Sequence, residues 1–323
     1  MSNTKLTVSW LGPGSVGKTT LITVIYKLLR EAMAATELSL STDPESEAIL
    51  NKHYQELTQL VTSFDATNKG IQGTEQPRNF NFILDRKKWI GKRPSLELEF
   101  IDVPGNWVSQ TASSSEYNSY LKKISESGAI VITIDTLALM MGGGRFHEQV
   151  NQTETVTKMI ETAYKDLSEP RLVVFAPVKC ETFLQPGKDP KLLEDAIKKG
   201  YYDLINNVLI PNRNIAAVIT PVKTVGCVVC GGWEDHNGRF QRWYLNKTGI
   251  NHNMNTEYAD QPLRYLLLFL MKQFMEEQQG LWRTVNNFLH TNDDLKEVMR
   301  RFAQGCRKVP PFETLIGHDF LRV

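Results

Sequence analysis

Three glycines, a lysine and a threonine near the amino terminus have the clearest chemical purpose in the chain. They lie in Gly12-Pro13-Gly14-Ser15-Val16-Gly17-Lys18-Thr19, which fills every fixed position of G-x-x-x-x-G-K-[ST]. Glycine permits positive φ and close backbone approach, so successive N–H groups, those of Ser15, Val16 and Thr20 among them, can converge on a polyphosphate. Lys18 would set its ammonium on the β and γ phosphates, and Thr19 would give its hydroxyl to Mg²⁺. A helix beginning near Lys18 would aim its positive end at the same anion.

A second group, Asp102-Val103-Pro104-Gly105, closes an apolar run and matches the D-x-x-G that lies opposite a phosphate loop. In that setting Asp102 holds Mg²⁺ and the Gly105 N–H meets the γ-phosphate. A third, Cys227-Val228-Val229-Cys230 with His236 and His252 downstream, has part of a zinc signature. Its histidine spacing matches no standard finger, so two reduced cysteines beside a buried strand are expected there in place of zinc.

Positioning the phosphate loop takes a strand before it and a helix after it. Leu6, Val8, Trp10 and Leu11 give residues 6–11 the required strand, and residues 20–30 read as the helix. Ser41-Thr42-Asp43-Pro44-Glu45 is a helix-start signature, so a helical excursion is expected over 45–63. Alternating apolar residues at 79–84 and 96–102, joined by a basic turn, predict an antiparallel pair. Residues 129–134, 172–176 and 215–219 are continuous apolar runs suited to strands covered on both faces, with helices expected at 148–167 and 192–208. The fold class is therefore α/β: a doubly wound, mostly parallel sheet with one antiparallel strand, binding ligands beyond the carboxyl ends of its strands. From 226 to 258 the pattern breaks, with only 240–245 strand-like, and helical periodicity returns at 262–279 and 293–301.

Composition narrows the functional classes. At 323 residues the chain can bury a large core, and 41% hydrophobic with 23% charged residues is ordinary globular composition. A formal charge of +1 supplies no field for nucleic acid or an anionic membrane, so no nucleic-acid partner is expected. The most apolar run, residues 266–271, is far short of the roughly 20 residues that a membrane span needs. Four cysteines are too few for a disulfide framework, and the amino terminus enters the first strand without a signal peptide, so a cytoplasmic protein is expected.

Together the loop at 12–19, Asp102-Val103-Pro104-Gly105 and the strand order resemble GTPases of the translation-factor-related (TRAFAC) class of P-loop proteins. The resemblance implies GTP or GDP as ligand, Mg²⁺ as cofactor and a GTP-hydrolysing switch. It also implies a metal-closing threonine ahead of the antiparallel strand, a place held by Thr74 with Thr67 as competitor. Guanine selectivity in such proteins comes from N-K-x-D; here Val178-Lys179-Cys180-Glu181 stands there, with Lys179 and Glu181 matching in kind and Val178 departing. A small-residue loop after the last strand is matched by Thr220-Pro221-Val222-Lys223, where a backbone N–H near Pro221 or Val222 would meet the base oxygen. The water-orienting position after D-x-x-G is Asn106, which can bond the water or cap the turn. Arg145, behind a glycine-rich loop, is the internal candidate for charge compensation during hydrolysis, against the plainer reading of a solvated helix-start arginine.

The same motifs, with Asp260-Gln261-Pro262-Leu263 opening a late helix, are similar to bacterial YcjX-like and double-GTPase proteins, the latter associated with conflict (anti-phage) systems. The resemblance to the TRAFAC class covers roughly residues 5–280. It divides the chain into a GTPase domain over 1–280, with an insertion at about 226–258, and a helical carboxyl-terminal extension over 281–323. A protein effector or activating protein is the partner such a switch would take.

Overall fold

The computed structural model describes residues 4–34, 38–62, 78–86, 96–102, 114–246, 254–275 and 293–322. The central sheet has eight strands: β1 (Thr4–Leu11), β2 (Leu38–Thr42), β3 (Arg78–Arg86), β4 (Leu96–Asp102), β5 (Ala129–Asp135), β6 (Arg171–Val178), β7 (Ile215–Ile219) and, by its order in the chain, β10 (Glu313–Ile316). Their spatial order is β10-β7-β6-β5-β1-β4-β3-β2. The pairs β4-β1, β1-β5, β5-β6 and β6-β7 are parallel, as the alternation of apolar runs and helical segments requires. Every residue of β5, β6 and β7 is buried, which is why those runs are continuously apolar. In β4 burial alternates instead, and the outward Glu99 pairs with Lys5 at 2.8 Å.

Helix α1 (Lys18–Ala34) follows β1, and α2 (Pro44–Thr62) follows β2. The Asp43 carboxylate accepts from the Ser46 N–H at 2.8 Å and the Ser46 hydroxyl at 2.6 Å, which starts α2 where the sequence signature places it. Helix α3 (Ser114–Glu126) precedes β5. The helix expected at 148–167 is broken into α5 (His147–Asn151) and α6 (Thr153–Ala163), because Gln152 between them is left-handed at φ 48°; the short α4 (Thr136–Met140) caps β5. Helix α7 (Lys191–Gly200) runs on into a π-helical turn at Leu204–Leu209, and α8 (Gln261–Met275) carries the apolar run 266–271 into the core. Among the described residues no helix is long and apolar enough to cross a membrane.

The mostly parallel sheet with the antiparallel β3 is as expected, and two further strands join it that the sequence reading did not include. β2 extends the sheet beyond β3, to which it is antiparallel, although Leu-Ser-Leu-Ser-Thr is too short and polar to announce itself. β10 lies in the stretch expected to be a helical extension; α9 (Asp293–Ala303) forms there, and residues 313–316 then pair antiparallel with β7 and add to the main sheet. β10 is a four-residue, half-buried strand whose partner is almost a hundred positions away in sequence, so no local pattern marks it.

The region 226–258 holds an antiparallel hairpin of β8 (Val228–His236) and β9 (Arg239–Asn246), separate from the main sheet. Asn237 and Gly238 turn it with φ of 51° and 77°, the positive values a two-residue hairpin loop needs. The Asn-Gly pair was the available signal for the first strand, which the sequence reading omitted. A Cβ on Gly232 would stand 2.1 Å from the Trp243 ring, so the ring crosses the hairpin only because glycine lies beneath it.

Apolar packing covers both faces of the sheet. On one, the Trp10, Phe100 and Phe82 rings pack in a row at tilted angles, with centroids 5.4 Å apart for Trp10–Phe100 and 4.9 Å for Phe82–Phe100; the other packs β5 and β6 against α6 and α7. Phe100→Ala would open a cavity in the middle of the first cluster and should cost about 3–5 kcal/mol, read as a lower midpoint in denaturant unfolding with the slope unchanged.

Candidate functional site

Strand order decides what meets at the carboxyl edge of the sheet. β6, β5, β1 and β4 lie side by side, so Val178-Lys179, Asp135, the 12–19 loop and Asp102 come into one row there. Two glycines make the loop possible. Gly12 has φ 142° and a Cβ there would lie 2.8 Å from the Thr133 carbonyl; Gly17 has φ 119° and a Cβ would lie 3.3 Å from Val178 Cγ2. Ser15 is also left-handed, at φ 63°.

Lys18 is buried, and its ammonium donates to the carbonyls of Gly12 at 2.6 Å and Pro13 at 2.9 Å. Burial lowers its pKa and Asp102 partly opposes that. The Thr19 hydroxyl donates to Asp102 Oδ2 at 2.8 Å, bringing together the two oxygen groups expected to share a metal. A hydroxyl and a carboxylate are hard oxygen donors, the set that suits Mg²⁺. Beside them His53 Nε2 lies 3.0 Å from the Thr20 hydroxyl.

The segment 178–181, where base recognition is expected, is tied to the loop directly. Lys179, left-handed at φ 60°, donates to the Ser15 carbonyl at 3.0 Å and to Asp135 Oδ2 at 2.6 Å. Asp135 caps α4 through the Ala138 N–H at 3.1 Å, and Asn151 brackets its backbone, accepting from its N–H at 2.8 Å. Burial alone would raise the Asp135 pKa, but Lys179 and Arg242 outweigh it and hold the carboxyl below its ordinary value. Glu181 is buried, which pushes its pKa up, against the N–H groups of Val225 at 2.9 Å and Gly226 at 3.2 Å that donate to Oε1. The expected donor at Pro221 or Val222 needs correction: proline has no N–H, and the Val222 N–H is taken by the Pro177 carbonyl at 2.8 Å. The loop donors that face Glu181 are three residues further on.

These groups line a cavity of about 890 Å³ that runs from Lys18 and Thr19 to Lys179 and Glu181, roofed by Arg242, Trp243 and Tyr244 of the hairpin. That is within the usual range for small-molecule sites, about 300–1,000 Å³. Arg145 is not part of its lining. Its guanidinium pairs with Asp235 at 3.0 Å and lies over the Phe146 and Trp233 rings, so it holds the hairpin tip.

Thr74, its competitor Thr67, Gly105 and Asn106 lie outside the described residues. Among the described residues no group of three His, Cys, Asp or Glu side chains converges to hold a metal. The thiols of Cys227 and Cys230 donate to the Val225 and Gly232 carbonyls.

The family model for Double-GTPase 2 matches residues 6–205. The chain belongs to the Double-GTPase 2 family. The matched span ends before β7 and the hairpin, so the roof of the cavity lies beyond it. Similar solved structures include the Ski7 GTPase-like domain of S. cerevisiae bound to GTP, at 16% identity and TM-score 0.39, covering 68% of this chain and 43% of that one. The same domain bound to GDP and inorganic phosphate matches at 18% identity and TM-score 0.37, over the same shares. The chain thus spans less than half of the solved chains it resembles. None of the curated proteins is similar to it.

Arg242 and His53, which line the cavity, and Asp135, buried behind Lys179 and Arg242, are groups that sequence reasoning missed. Asp135 stood in view as a carboxylate ending a buried strand. Arg242 sits between Phe240 and Tyr244 on a period of two, but the strand-like run lacked a partner to show which face turned inward. Gly17→Ala, forced into positive φ and against Val178, should cost roughly 1–2 kcal/mol of loop strain and lower nucleotide affinity about tenfold or more. Isothermal titration with GDP checks it.

Proposed function

We propose that this Double-GTPase 2 protein is a Mg²⁺-dependent GTP-binding and GTP-hydrolysing switch. The observation that carries the reading is the Lys179 bond to the Ser15 carbonyl, which supports a base-reading segment and a phosphate loop acting on one ligand in one cavity. Lys18 and the loop N–H groups would receive the β and γ phosphates, and Glu181 would accept from the base. Thr19 and Asp102, with Thr74 and the Gly105 N–H completing the γ-phosphate side, would hold Mg²⁺, which neutralises charge on the phosphates when bound.

Hydrolysis by such sites is positioning and charge compensation. Arg145 is committed to Asp235, which supports slow intrinsic turnover, on the order of 10⁻⁴ to 10⁻² per second, until an activating protein supplies a further charge. The same observation favours a second reading, an interaction module that binds nucleotide and scarcely turns over. Single-turnover hydrolysis by the full chain separates the two. Residues 65–77 and 105–118 would be the segments that respond to the γ-phosphate, and a bacterial conflict system is the setting that the double-GTPase resemblance suggests.

Glu181→Ala should erase discrimination between GTP and ATP while Lys18→Ala abolishes binding of both. Competition titrations check the first and direct binding the second; selectivity that survives Glu181→Ala would remove this carboxylate from base recognition.

A further inference from the structure

The cavity roof carries a cation that the phosphate and base motifs leave unused. Arg242 donates to Asp135 Oδ2 at 2.8 Å, the same oxygen that Lys179 meets at 2.6 Å. Two cations therefore share one fully buried carboxylate, and the cluster carries a formal excess of one positive charge at the cavity wall. Lys179 is already divided between Asp135 and the Ser15 carbonyl. Arg242, its side chain 17% exposed, lies beside the Phe240 ring at 5.2 Å, and a guanidinium has five donors and a planar face to offer.

Arg242 reaches the cavity from a separate two-stranded sheet. The hairpin is seated by the Cys230 N–H on the Thr182 hydroxyl at 3.0 Å, close to Glu181, and by Gln149 on the Gly238 carbonyl at 2.7 Å. Arg145–Asp235 and the stacked Phe146–Phe240 rings, 4.9 Å apart, hold the far end. Arg242 thus lines the same cavity as Glu181 and shares its carboxylate with Lys179, the lysine of the expected base-reading segment.

Resting on the GTP reading above, we propose that Arg242 contacts the nucleoside end of the bound nucleotide, so that the β8–β9 hairpin is a lid whose seating sets the rate of nucleotide release. A guanidinium held by a carboxylate behind it, with one face over Phe240 and Tyr244 bonded beside it, has its other face and its remaining donors to offer a purine nucleoside, which presents ring π-density and ribose oxygens.

Release of a fluorescent N-methylanthraniloyl GDP or GTP from the full chain, chased with excess unlabelled nucleotide, tests this. Arg242→Ala should speed release about tenfold, the worth of one good charge-assisted or stacking contact, and equally for GDP and GTP. Arg242→Lys, which keeps the charge and loses the planar fork, should restore part of the difference. If the unaltered protein binds neither nucleotide, the GTP reading fails. If it binds both and Arg242→Ala releases GDP within about twofold of the unaltered rate, the lid is overturned and the GTP reading stands. An effect that grows from GDP to GTP would move Arg242 to the phosphates and overturn its placement at the nucleoside.

Discussion

One ammonium group joins the two halves of this site. Lys179 extends from the end of β6 across β5 to the phosphate loop, donating at once to Ser15 and to Asp135. The bond is possible because β6, β5 and β1 are sheet neighbours whose carboxyl ends share an edge. It is maintained because Asp135 stays ionised in a buried position between two cations. It is the polar tie between the loop and the segment carrying Glu181.

That arrangement also gives a physical account of Val178. The N-K-x-D pattern has asparagine where this chain has a fully buried valine, and Val178 Cγ2 lies against Gly17. The contact holds the loop to β6 by packing, while Lys179 supplies the polar tie and Glu181 is oriented by the N–H groups of Val225 and Gly226. The departure at Val178 removes one hydrogen-bonding side chain and leaves the neighbouring carboxylate in place.

The legible parts of the molecule were those whose cause is local. The phosphate loop, the buried parallel strands and the start of α2 each have a signature in adjacent residues, and each falls where expected. What escaped depends on partners distant in sequence. β2 and β10 are short edge strands that become strands by pairing with β3 and β7. Gln152 breaks a helix whose apolar period continues through it. Arg145 reads as a loop arginine until Asp235 arrives from the hairpin, and Arg242 is silent until Asp135 lies opposite it. Position along the chain suggested Pro221 and Val222 as base donors, but the Val222 N–H is drawn to Pro177, a partner more than forty residues away in sequence, and Val225 and Gly226 are the residues whose N–H groups meet Glu181.

The central claim is that phosphate and base recognition share one cavity. Competition between GTP and ATP for the unaltered full chain in the presence of Mg²⁺ tests it most directly. A site that reads the base through buried polar groups should favour GTP by roughly 10⁴-fold; equal affinity for the two would contradict the account.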